Sequence, residues 1–142
     1  MNNLFKPLLI PSILVLGLFS SCKRTCDLGY EGKHCPTEIR EKYLGTFAGT
    51  RTCETTSGTD TVAIQGLTDD VTTINFQYIN GQARNVKGET RPDGTLAIPE
   101  QIFGQAKITG STSIENGKIK ITYTIVYNSP DSVTKNCVWI QN

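Results

Sequence analysis

Five cysteines, one histidine and one adjacent carboxylate pair are the residues whose types and spacing bear on chemistry in this chain. His34 is the only histidine. As a general base it would need a nucleophile beside it and an acid to orient it. It lies between Cys26 and Cys35, away from the segments that read as sheet. Asp69-Asp70 falls between two predicted strands. A glycosidase sets its two carboxyls across a cleft, not side by side along the chain. No EF-hand spacing and no Gly-rich loop opening a helix occurs. The expectation is a protein that is not an enzyme, with no cofactor. There is no CxxC pair, so the cysteines read as disulfide partners rather than metal ligands. Cys26, Cys35, Cys53 and Cys137 allow three connectivities, which leaves Cys22 over.

Cys22 closes the stretch MNNLFKPLLIPSILVLGLFSSC. Lys6 supplies one positive charge and Leu8–Phe19 an apolar run of about 12 residues, too short to span a bilayer as a helix. Ser20 and Ser21 are small, as an export cleavage site requires. The cysteine directly after them resembles a bacterial lipobox, with Phe19 where that motif more often carries Leu. The resemblance implies that residues 1–21 are a signal peptide. It also implies that the Cys22 thiol carries diacylglycerol and anchors the chain to a lipid bilayer. The expected location is the cell envelope: an outer membrane, facing the periplasm or the cell surface. That compartment is oxidising, which favours pairing of the remaining four thiols.

Charge excludes another class. The chain holds 14 Lys+Arg and 13 Asp+Glu. Loss of Lys6 with the signal leaves 13 of each, because no acidic residue precedes Cys22. A neutral chain has no electrostatic footprint for nucleic acid. Lys23-Arg24 is the one basic cluster, and it adjoins the proposed anchor.

Residues 22–42 are cysteine-rich and poor in apolar side chains. Residues 43–142 are rich in Thr, Ile, Val, Tyr and Gly, a strand composition broken by turns. A boundary is expected near Thr37–Lys42, with one short helical turn. Asn116-Gly117 signals a type I′ hairpin. Its two-residue register sorts the faces. Ile114/Ile119, Thr112/Ile121, Gly110/Tyr123, Ile108/Ile125 and Ala106/Tyr127 share the buried face, and Ser, Thr and Lys line the other. Tyr123 is expected to lie across the bare backbone of Gly110. Strands are also expected at Leu44–Glu54, Thr61–Gly66, Thr72–Ile79, Ala83–Glu89, Thr95–Ile98 and Thr134–Ile140. At Asn80-Gly81 a strict two-residue register would oppose Phe76 and Asn85, so a longer loop or a bulge is expected. About eight antiparallel strands joined by short turns predict an all-β domain, an up-and-down barrel or a two-sheet sandwich. In a closed meander the first and last strands are neighbours. Cys53 and Cys137 sit on those two, so a bridge between them fits closure.

The segment Cys26-Asp27-Leu28-Gly29-Tyr30-Glu31-Gly32-Lys33-His34-Cys35 resembles the C-terminal loop of an EGF-like module: Cys, two residues, Gly-aromatic, one residue, Gly, two residues, Cys. The likeness covers about a third of such a module. It implies a Cys26–Cys35 bond, tight turns at Gly29 and Gly32, and Tyr30 packed over the bridge. It implies no calcium site. Lys42-Tyr43-Leu44-Gly45-Thr46-Phe47 then opens the β domain. The whole arrangement is similar to small bacterial lipoproteins that carry a half-EGF loop after the lipidated cysteine and then a lipocalin-like β domain. That likeness implies a fold and an anchor but no activity.

Two functions are expected. In the first, a small apolar ligand or a partner is bound by the barrel, with Ile119, Ile121, Tyr123, Ile125, Tyr127 and Trp139 either lining a cavity or filling the core. In the second, an interaction lipoprotein meets an envelope protein through the EGF-like loop or the barrel loops. The EGF-like loop otherwise serves as a stapled spacer between lipid and barrel.

Overall fold

A computed structural model describes residues 25–54, 56–81, 84–128, 130 and 132–142. The stretch expected to be an export signal, Cys22 and Lys23-Arg24 lie outside the described residues, as do Ser129 and Asp131. The fold is a closed antiparallel barrel of eight strands. A two-stranded sheet of β1 (Tyr30–Glu31) and β2 (Thr37–Glu38) precedes it, followed by a 3-10 helix at Ile39–Tyr43. The barrel strands are β3 (Gly45–Cys53), β4 (Thr56–Gly66), β5 (Thr73–Gln77), β6 (Val86–Thr90), β7 (Leu96–Phe103), β8 (Ala106–Glu115), β9 (Lys118–Tyr127) and β10 (Val133–Gln141). Each pairs with its neighbour in sequence, and β10 closes on β3. Closure leaves no long edge open to another chain.

The β8–β9 hairpin has the expected register from Glu115↔Lys118 to Ala106↔Tyr127. Asn116 (φ 52) and Gly117 (φ 76) take the two left-handed positions of its turn. Ile108, Thr112, Ile119, Ile121, Tyr123 and Ile125 are buried on its inner face. A Cβ on Gly110 would come within 2.9 Å of Tyr123 Cα and overlap the Thr122 carbonyl. Glycine there allows the two backbones to approach. A ring over bare backbone occurs at Gly49, where a Cβ would overlap the indole of Trp139.

Two strands outrun their sequence signal, and a third starts later than expected. β4 starts at Thr56, five residues before the expected Thr61, because a tight turn with Glu54 at φ 49 lets Thr56 pair with Cys53. Its first half, Thr-Ser-Gly-Thr-Asp, reads as loop because its inward positions carry Gly58 and Asp60 instead of apolar residues. β7 runs to Phe103, past Pro99, by way of a bulge between Ile98 and Gln101. The register Glu89↔Ala97 would set Lys87 opposite Pro99, which has no N–H to offer. The Gln101 side chain replaces it: Lys87 N donates to Oε1 at 2.8 Å, and Nε2 donates to Lys87 O at 2.8 Å. β6 runs Val86–Thr90, and Ala83 lies outside the described residues. Phe76 opposes Val86 across the longer β5–β6 loop, which contains a 3-10 turn at Ile79–Gly81.

Candidate functional site

The chain direction divides the barrel into two unlike ends. The base collects the start of β3, the β4–β5 and β6–β7 loops and the β8–β9 turn. The mouth collects the β3–β4, β5–β6, β7–β8 and β9–β10 connections.

The base is sealed by the N-terminal module, residues 25–43. Cys26 and Cys35 are bonded, with Cα atoms 5.4 Å apart. Gly29 (φ 94) and Gly32 (φ 97) hold the left-handed turns that only glycine adopts freely. Gly29 is also buried: a Cβ there would touch Val71 and Thr72 at 3.1–3.3 Å. Tyr30 is half-buried in β1, opposite Glu38. Ile39 N donates to Gly29 O at 2.8 Å, and Ile39 and Tyr43, each 1% exposed, enter the core. Tyr43 Oη donates to Gly94 O at 2.8 Å, tying the module to the β6–β7 loop. Burial foremost, then the charges of Glu31 and Asp93, push that hydroxyl's pKa up to about 12, so it stays a donor at neutral pH. Arg40 clasps the β4–β5 loop: its Nη1 donates to Leu67 O at 2.5 Å and Asp70 O at 2.7 Å, while Nε meets Glu38 at 2.7 Å. The module is therefore a plug fitted against the base. Spacing alone gave no sign of this, because Arg40 and Tyr43 act through backbone carbonyls distant in sequence.

The barrel interior is filled. Ile119, Ile121, Tyr123, Ile125 and Trp139 are buried members of one core with Phe76, Ile64 and Leu96. The Cys53–Cys137 bridge joins directly opposed residues of β3 and β10, with Cα atoms 4.1 Å apart. Above the apolar core lies a polar layer. Arg51 on β3 points inward, pairs with Asp60 on β4 at 3.1 Å and donates to Asn80 Oδ1. The Tyr123 hydroxyl beside Arg51 has no hydrogen-bond partner among the described residues. Burial raises its pKa to about 12 although Arg51 pulls the other way. Trp139 Nε1 is likewise unpartnered.

At the mouth the packing leaves one notch of about 30 Å³. That is room for about one water. Ile79, Val86, Phe103, Ile125 and Tyr127 form its apolar walls, and Asn80, Arg84 and Lys107 its polar side. Arg84 lies over the Phe103 ring at 5.7 Å and Lys135 over Tyr127 at 5.9 Å, within cation–π range. Tyr78, Ile102 and Val133 on the surrounding mouth segments are 47%, 65% and 44% exposed. Of the six side chains expected to line a cavity or fill the core, Ile125 and Tyr127 border this notch. Sequence patterning did not mark Arg84 or Phe103 as site residues: Arg84 precedes β6, and Phe103 follows the Pro99 bulge, where alternation breaks.

The remaining chemical candidates stay apart. His34 is exposed on the module. Asp70 caps its own turn, accepting from Thr72 N at 2.8 Å and Thr72 Oγ1 at 2.6 Å. Those Thr72 and Thr73 hydrogen bonds hold its pKa down to about 2. Asp69 is exposed. Among the described residues no group of three or more His, Cys, Asp or Glu could hold a metal, and no helix is long and apolar enough to cross a membrane. Comparison of the chain with known protein families and with curated proteins finds no match.

Proposed function

We propose that this chain is a non-enzymatic lipoprotein of the cell envelope, anchored through Cys22, with a half EGF-like loop that plugs a barrel whose mouth binds a partner. The observation that carries the reading is the contrast between the two ends. The end that receives the chain from Cys22 is closed by a stapled plug. The opposite end offers an apolar notch with cationic side chains, and the connections at that end also carry exposed Tyr78, Ile102 and Val133. A filled interior argues for contact at the mouth, with at most a small apolar group of the partner entering the notch. Exposed aromatic and aliphatic side chains around a concave point are the usual make-up of an interaction hot spot.

The test is site-specific photo-crosslinking in the envelope of the producing cell. Probes at Tyr78 and Ile102 should give a discrete adduct that a probe at Ile140, exposed on the outer wall, does not. Ala106→Leu, which fills the notch, should weaken that adduct. Adducts confined to a probe at Tyr30 would favour contact through the EGF-like loop instead.

A further inference from the structure

Resting on the reading of Cys22 as a lipid anchor, we propose that the plugged base of the barrel seats directly on the bilayer, with Leu28 and Leu67 entering the interface. Covalent reach limits the alternatives. Thr25 follows Cys22 by three residues, and an extended chain covers at most about 3.6 Å per residue, so Thr25 lies within roughly 11 Å of the acylated residue. The module that begins there is not a loose tether. Ile39–Gly29, Arg40–Leu67, Arg40–Asp70 and Tyr43–Gly94 hydrogen bonds fix it to the base. The membrane surface is therefore within reach of this end of the barrel and of no other.

The base is also furnished for that contact. Leu28, Leu44 and Leu67 are 55%, 38% and 36% exposed, three of the eight well-exposed large apolar side chains among the described residues. Leu28 precedes the buried Gly29, and Leu67 offers its carbonyl to Arg40, so both sit on elements clamped together. Leucine side chains gain by leaving water for the headgroup–acyl boundary. Lys23 and Arg24 beside the anchor, with Lys33, Lys42, Arg91 and Lys118, are offset by Asp27, Glu31, Glu41, Asp69, Asp93 and Glu115, so this end has no cationic excess for anionic lipid. Its occupant is a zwitterionic bilayer surface held by apolar contact. This seating points the notch away from the membrane.

The experiment uses the full acylated chain in phosphatidylcholine nanodiscs that carry a gadolinium-chelate headgroup lipid. Amide relaxation enhancement at Leu28, Gly29, Leu67 and Thr68 should exceed that at Gly104, Gln105 and Asn128 severalfold. Leu28→Ser/Leu67→Ser removes only exposed side chains and should erase most of the contrast while the amide spectrum of the core stays unchanged. Equal enhancement at both ends, stronger enhancement at the mouth, or an unaltered contrast in the double variant overturns the seating. Mass spectrometry of the same sample reads the anchor separately: absence of fatty acid at Cys22 overturns the anchor reading and the seating with it.

Discussion

Gln101 offers the sharpest test of how this barrel closes. Its amide makes two hydrogen bonds of 2.8 Å to the Lys87 backbone and a third, from Nε2 to Pro99 O, of 3.1 Å. Each hydrogen bond contributes about 0.5–1.5 kcal/mol net. The two Lys87 bonds together would be worth about 1–3 kcal/mol, but Lys87 is exposed and water can take over part of the role. Gln101→Ala should therefore cost about 1–2 kcal/mol, a Tm drop of roughly 3–8 °C for a domain of this size. Gln101→Glu should cost more at neutral pH, because a carboxylate accepts from Lys87 N but sets its second oxygen against Lys87 O. Its penalty should shrink on acidification, when a protonated carboxyl can donate as the amide does. Urea unfolding followed by Trp139 fluorescence gives the free energies, and hydrogen exchange at the Lys87 amide reads the seam locally. If Gln101→Ala unfolds within about 0.3 kcal/mol of the parent, roughly half of RT, and Lys87 exchange is unchanged, the amide is not what joins β6 to β7, and the Pro99 argument fails.

Gly49→Ala should destabilise by about 1–3 kcal/mol through overlap with the Trp139 ring, seen as a shifted indole emission and a lower urea midpoint. Removing the Cys53–Cys137 bond by double substitution to serine frees a loop with a sequence separation of 84 residues, and the loop-entropy account predicts a loss on the order of 4 kcal/mol. A loss under about 1 kcal/mol would mean that the unfolded chain is already compact. The Asp70 carboxyl is held down to about 2 by the Thr72 and Thr73 hydrogen bonds. Its contribution to stability is thus present above the unfolded value near 4 and fades as pH falls toward 2. NMR titration of Asp70 should show the depressed midpoint, and Thr72→Ala should move it back up toward the ordinary range.

The parts of this fold legible from sequence are those where periodicity and turn chemistry agree. In β8–β9, Asn116-Gly117 and the alternation of Ile119, Ile121, Tyr123 and Ile125 define register and face together. The number of strands and the opposition of Cys53 and Cys137 followed from the same pattern. What stayed hidden breaks alternation for a physical reason. Gly58 and Asp60 face inward on β4 because Arg51 crosses the interior to meet them, and no one-dimensional pattern records a partner on the next strand. Pro99 reads as a stop, yet a side-chain amide two residues on substitutes for the missing donor. The site was less legible than the fold. Arg84 and Asn80 of the β5–β6 connection meet Phe103 at the end of β7 only once the mouth is folded. The plug depends on Arg40 and Tyr43 bonding to carbonyls of Leu67, Asp70 and Gly94.

The two bridges join cysteines that are consecutive in the chain, Cys26 with Cys35 and Cys53 with Cys137. If the chain is exported as proposed, its N-terminal end emerges first, so an oxidant that pairs thiols in order of appearance makes both native bonds without any later reshuffling. That holds only if Cys22 is absent from the pool. A free thiol at Cys22 would shift the pairing frame by one, joining Cys22 to Cys26 and Cys35 to Cys53, and would strand Cys137. Acylation of Cys22 would then be a proofreading step for oxidative folding as well as an anchor. Non-reducing peptide maps of chains secreted with an unmodified Cys22 should show those two shifted bonds, and native maps from such chains would refute the idea.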